Sequence, residues 1–149
     1  MSLDLPRLAV AEYHRPYVAA WLEKPDQSLV GNLAVWYDLK KFNNEGAKWL
    51  KDLRSWWRKS GRELSLPVDG VSSATRPPGE YRFTFSDTRA PLQGLPPGEY
   101  QLVVEAVREV GGREQLRLPL RWPAAAGAPA RMQVQGQHEF GTVSAEVKP

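Results

Sequence analysis

Cysteine is missing from all 149 residues. Its absence removes disulfides, thiolate metal sites and cysteine nucleophiles together, so no redox role can rest on sulfur. It also agrees mildly with an oxidising compartment, where free thiols are a liability. Histidine is scarce, with His14 near one end and His138 near the other, and each reads as a structural or surface residue. No His-x-x-x-His pair, Gly-x-Ser-x-Gly elbow or glycine-rich phosphate loop is written in the chain. The usual signatures of hydrolysis, metal catalysis and noncovalent dinucleotide binding are therefore lacking. Long apolar runs are lacking as well, since none approaches the ~20 residues that cross a bilayer. Charge of one sign does not dominate either: 20 basic against 17 acidic residues leave a net charge of +3, too balanced for a nucleic-acid binder that works by counterion release. No leader is visible at Met1-Ser2-Leu3. The expectation is a cytosolic protein or one that starts after a removed leader.

What is present is globular in composition, 42% apolar and 25% charged, and the length suits a single domain over residues 1–149. Leu3 to Tyr13 alternates loosely, and Tyr17 to Glu23 and Leu29 to Tyr37 read as strands joined by the turn Lys24-Pro25-Asp26-Gln27-Ser28, so the first third reads as a β-meander. The period changes at Gly46. Trp49, Leu50, Leu53, Trp56 and Trp57 fall on one face of an α-helix over residues 46–60, with lysines and arginines on the other, Asn43 or Asn44 available as its cap and Gly61 as its end. Later the same phrase occurs twice, Pro77-Pro78-Gly79-Glu80-Tyr81 and Pro96-Pro97-Gly98-Glu99-Tyr100, each a proline turn feeding a strand. Gly111-Gly112 turns the second of these into Glu114 to Trp122. Residues 123–130 read as a low-complexity linker, and 131–149 as a final hairpin or a partly ordered tail. Many short strands at regular spacing around one amphipathic helix predict a mainly β fold, an antiparallel β-sandwich of immunoglobulin or fibronectin type.

Between helix and repeated phrase lies a stretch of small residues bounded by prolines, residues 67–79, which reads as an exposed loop. Its core, Asp69-Gly70-Val71-Ser72-Ser73-Ala74-Thr75, resembles the acceptor motif of covalently flavinylated bacterial proteins, Asp-x-x-(Ser/Thr)-Gly-Ala-(Ser/Thr), whose last hydroxyl takes FMN through a phosphoester bond. On that resemblance Thr75 is the attachment residue, Asp69 the acidic residue of the motif, and Ser72 and Ala74 match their positions. Ser73 stands where the motif has glycine, which removes the freedom to take positive φ. Such a hydroxyl must line up with the pyrophosphate of FAD inside a transferase, and Ser-Ser-Ala-Thr sets no bulky side chain beside the acceptor. Packing against a sheet is the plain use of the tryptophans, Trp49 above all. Adjacent Trp56 and Trp57 cannot both point into a core, which leaves one to stack on the isoalloxazine ring, while Arg58, Arg62 and Arg76 are near enough in sequence to neutralise the phosphate.

From about Tyr13 to Trp122 the chain resembles a bacterial family of predicted periplasmic proteins, domain of unknown function 2271. The resembling segments are His14-Arg15-Pro16-Tyr17-Val18-Ala19-Ala20-Trp21, Lys51-Asp52-Leu53-Arg54-Ser55-Trp56-Trp57-Arg58, the stretch from Asp69 to Tyr81, and Leu95-Pro96-Pro97-Gly98-Glu99-Tyr100. The resemblance implies an exported, periplasmic protein, at most peripheral to the membrane, associated with an FAD:protein FMN transferase and a PepSY-type membrane reductase, in electron transfer linked to iron or another metal. The expected function is a redox carrier with FMN on Thr75 rather than a stand-alone enzyme. The alternative is a cofactor-free adaptor that docks a protein or an anionic ligand through its tryptophans and basic helix.

Overall fold

The computed structural model describes residues 1–8, 13–39, 42–64, 66–68, 71–89, 91–109, 111–124 and 130–147, the side chains of 42–45 excepted. The fold is mainly β, two sheets face to face. The larger sheet has the order β4-β3-β2-β6-β7, from Ser72–Ala74, Leu29–Tyr37, Tyr17–Glu23, Gly98–Val107 and Arg113–Trp122; the smaller has β5-β1-β9-β8, from Gly79–Arg82, Ser2–Leu5, Thr142–Val147 and Ala130–Gln135. All pairings are antiparallel except β3 with β4.

The larger sheet is covered on both faces, which explains why its central strands are apolar without alternation. Val18 and Ala20 of β2, Ala34 and Trp36 of β3, and Leu102, Val104 and Ala106 of β6 pack with Leu3, Leu5, Val143 and Phe140 between the sheets. The intervening Ala19, Trp21, Val35, Tyr37 and Val103 face the other way, onto Leu50, Leu53 and Trp56 of the helical segment. Burying these side chains on the two faces of one sheet stabilises the fold by roughly 25 cal/mol per Å² of apolar surface removed from water.

Three expectations change. Residues 46–60 do not form one α-helix: a 3₁₀ helix runs over Phe42–Asp52, and α1, Arg54–Lys59, follows. At about three residues per turn, positions 50, 53 and 56 share a face, and these are the buried ones. The side chains of Asn43 and Asn44 lie outside the described residues. The start of α1 is instead capped from the sheet, where Glu105 accepts from the amides of Ser55 at 3.2 Å and Trp56 at 3.0 Å. Gly61 serves chiefly to let the Trp56 indole pass, since a Cβ there would sit 2.5 Å from the ring. Second, the first third is not a meander, because β1 pairs with β5 and β9 in the other sheet. Third, residues 67–79 are not wholly loop: Ser72–Ala74 form the edge strand β4, with Ser72, Ser73 and Ala74 opposite Val35, Trp36 and Tyr37.

The repeated phrase builds the same structure twice, once in each sheet. Gly79 and Gly98 take φ of +154° and +157°, where a side chain is strained. The tyrosine two residues on then donates to the proline carbonyl behind the glycine, Tyr81 to Pro77 and Tyr100 to Pro96, both at 2.6 Å. Residues 125–129 of the linker lie outside the described residues, and β8 and β9 pair as a hairpin that seats β9 beside β1.

Candidate functional site

The ends of β2, β3, β6 and β7 nearest Tyr17, Tyr37, Val107 and Arg113 meet the helical segment around a cleft of about 1300 Å³. Thr75, half-buried, lines it directly after β4, together with Ala74, Tyr17, Trp49, Arg54, Arg108 and Arg113; His14, Arg15, Asp38, Asp52 and Glu109 add further charge. The parallel pairing of β4 with β3 carries the chain to this end of the sheet, and that pairing puts Thr75 at the cleft.

The tryptophans are placed in an order opposite to the expected one. Trp56 is fully buried, its indole N–H donating to Asn32 Oδ1 at 2.9 Å, so it is not a stacking surface. Trp57 is partly buried against the same core and tilted on Trp56 at 6.4 Å. Trp49 is 48% exposed and lines the cleft. The 3₁₀ winding decides this, because position 49 falls off the 50–53–56 stripe.

The arginines are redistributed too. Arg76 points its guanidinium at the rings of Trp36, Phe83 and Tyr81, at 4.5, 4.8 and 5.2 Å, a cation–π arrangement that anchors the residue following Thr75. Arg58 is exposed, its Nε donating to the Arg54 carbonyl at 3.4 Å, and neither it nor Arg62 lines the cleft. The cleft's arginines are others. Arg113 is held by the buried Glu105 at 2.7 Å and by the Ser55 hydroxyl at 2.9 Å. Arg108 is paired with the buried Glu139 at 2.6 Å. Arg54 is exposed and has no ion pair among the described residues. Tyr17 donates to the Gly46 carbonyl at 2.7 Å, and burial pushes its phenol above the usual tyrosine range.

Within the motif, the Ser72 hydroxyl accepts from the Val68 amide at 2.9 Å, closing the turn that leads into β4. Ser73 lies in extended strand, so the folded chain makes no use of glycine's positive φ there. Asp69 lies outside the described residues. Among those described, no group of three or more metal-ligating side chains comes together, and no helix is long and apolar enough to cross a membrane. Sequence reasoning missed Trp49, Tyr17, Arg54, Arg108 and Arg113 as cleft residues, and Glu105 and Glu139 as the carboxylates that hold Arg113 and Arg108. A glutamate inside the apolar run Val103-Val104-Glu105-Ala106 was the one visible signal, because a buried carboxylate requires partners.

A family model described as a predicted periplasmic protein, DUF2271, matches residues 1–142. The chain belongs to that family. Membership places it in the periplasm, in keeping with the lack of cysteine. No curated protein and no solved structure matches it.

Proposed function

We propose that the chain is a periplasmic electron-transfer module carrying FMN covalently on Thr75, with the flavin seated in the cleft. The observation that supports this reading is position: the terminal hydroxyl residue of the flavinylation-like motif lines a cleft of about 1300 Å³, beside an exposed indole and among arginines. The residues present fit the group. The cleft volume exceeds the roughly 300–1,000 Å³ of ordinary small-molecule sites. Trp49 and Tyr17 offer aromatic surface, and Arg54, with no carboxylate partner among the described residues, has the most charge to give a phosphate. Arg113 is oriented in advance by Glu105.

Attachment requires an FMN transferase and FAD. Thr75 Oγ bonds to the phosphorus of the FMN half, the pyrophosphate bridge breaks, AMP leaves, and the hydroxyl proton passes to a base of the transferase. β4 suits this step, since three residues paired on one side come away from a sheet far more readily than a central strand. Once bound, the flavin supplies reversible electron storage. The chain's residues shield the ring, bind the phosphate and set how much of the group faces a partner. A PepSY-type membrane reductase is the electron source that the family resemblance implies, and iron or another metal is the linked process.

The test is intact mass of protein exported together with an FMN transferase. The expected result is a gain of one FMN in the wild type and none in Thr75→Ala, each variant folded by circular dichroism. Folded wild-type protein recovered without FMN, transferase activity having been verified on a known acceptor, sinks the proposal and favours a cofactor-free adaptor.

A further inference from the structure

Large apolar side chains are exposed at only three described positions, Leu39, Trp49 and Met132, and the first two line the same cleft. Beside them the outer surface of the helical segment carries the exposed Lys48, Lys51, Arg54 and Arg58. None of these cations has an ion pair among the described residues, whereas Lys59, Arg108, Arg113 and Arg117 are all committed to buried carboxylates. Asp52 is the single exposed carboxylate within Lys48–Arg58. The inward cations are thus held in internal pairs, while these four on the helical segment have no ion pair among the described residues and lie near an exposed apolar spot. A small apolar contact beside a local excess of positive charge on the helical side, with Asp52 the one anion of Lys48–Arg58 and Asp38 and Glu109 in the cleft lining, suits a brief encounter. The charges steer the approach, the apolar contact orients it, and the low buried area lets the partner leave.

Resting on the reading of Thr75 as a flavin carrier, we infer that Lys48, Lys51 and Arg58, with Leu39 at the cleft mouth, form the docking surface for an acidic redox protein. Docked there, the partner meets the rim of the cleft that holds the flavin. With a one-electron acceptor, two partner molecules are reduced in successive encounters as the two electrons of one reduced flavin are withdrawn, and the flavin's protons pass to solvent.

The experiment follows stopped-flow oxidation of the dithionite-reduced, FMN-loaded protein by an acidic plastocyanin and, separately, by a basic cytochrome c, both one-electron acceptors. With plastocyanin the second-order rate constant is expected to fall about tenfold or more between about 10 mM and 0.5 M salt. At low salt, the double substitution Lys48→Glu with Lys51→Glu should lower it by a similar factor, while Arg131→Glu, on β8 of the other sheet, changes it less than about twofold. Cytochrome c should show no such decline in either comparison. FMN content per chain, measured first, separates the two readings. A wild type without FMN overturns both. A loaded protein whose reaction with plastocyanin ignores salt, or responds equally to Arg131→Glu, overturns the docking surface alone.

Discussion

Trp49 and Trp56 belong to one helical segment and look interchangeable in the sequence, yet one faces solvent at the cleft and the other is sealed against the sheet. Their substitution should therefore part company. Trp56→Ala removes a fully buried indole and its hydrogen bond to Asn32, at a cost of about 3–5 kcal/mol. Trp49→Ala, roughly half exposed, should change stability by about 0.5 kcal/mol. Urea denaturation followed by far-UV circular dichroism checks both, and equal losses would mean that the 3₁₀ winding assigns the faces wrongly. Arg76 makes the same point about reading sites from sequence proximity. It follows Thr75 directly, but three aromatic rings hold its guanidinium, and the cleft draws its arginines from β7, α1, the end of β6 and the residues just before β2 instead.

At the scale of elements, β4 is the weakest piece of the larger sheet. It has three residues, one neighbour and no buried side chain of its own, whereas β2 and β6 are flanked on both sides, β2 buried almost throughout and β6 buried from Leu102 to Ala106. Amide exchange by mass spectrometry should show Ser72–Ala74 exchanging at least about a hundredfold faster than the centres of β2 and β6, since local opening of an edge costs less than the global free energy. Protection of β4 equal to that of β2 would argue against delivery of Thr75 into a transferase. The helical segment shows the opposite design. Its short α1 begins without a side-chain cap of its own, and Glu105 reaches out of the sheet to satisfy two of its amides and to orient Arg113. Helix and cleft are fixed to the sheet by the same carboxylate.

For the whole molecule, two buried glutamates tie stability to pH. At Glu23 burial opposes the charge, but hydrogen bonds from Arg117 and Trp21 outweigh it and hold the carboxyl below its ordinary value. At Glu114 burial is outweighed by four amides of the β8–β9 turn, those of Gln137, His138, Glu139 and Phe140. Both folded-state values lie below the unfolded reference of 4.5. In acid the unfolded chain therefore binds protons that the folded chain resists, and stability rises with pH through that window. The contribution is complete above about pH 5 and is lost as pH falls through the lowered values. Calorimetry should show Tm flat near neutrality and falling toward pH 3, with Glu114→Gln less stable at pH 6 and less steep below it. A variant as steep as the wild type would remove Glu114 from this account.

What the sequence determined by itself was the mainly β class, the strands β2, β3, β5, β6 and β7, and the twin proline turns. These are written in local patterns: apolar runs, turn residues, and a Pro-Pro-Gly-Glu-Tyr phrase whose glycine and tyrosine act within a few residues of each other. Only the tertiary structure decided where β1 and β4 pair, which tryptophan is exposed, and which arginines share a cleft with Thr75. Each of these depends on partners distant in the chain. Val35 opposite Ser72, or Glu105 beneath Ser55, leaves no local periodicity to read. The change from α to 3₁₀ winding is likewise governed by what the segment packs against, and it moves each side chain by tens of degrees around the axis, enough to exchange core for surface.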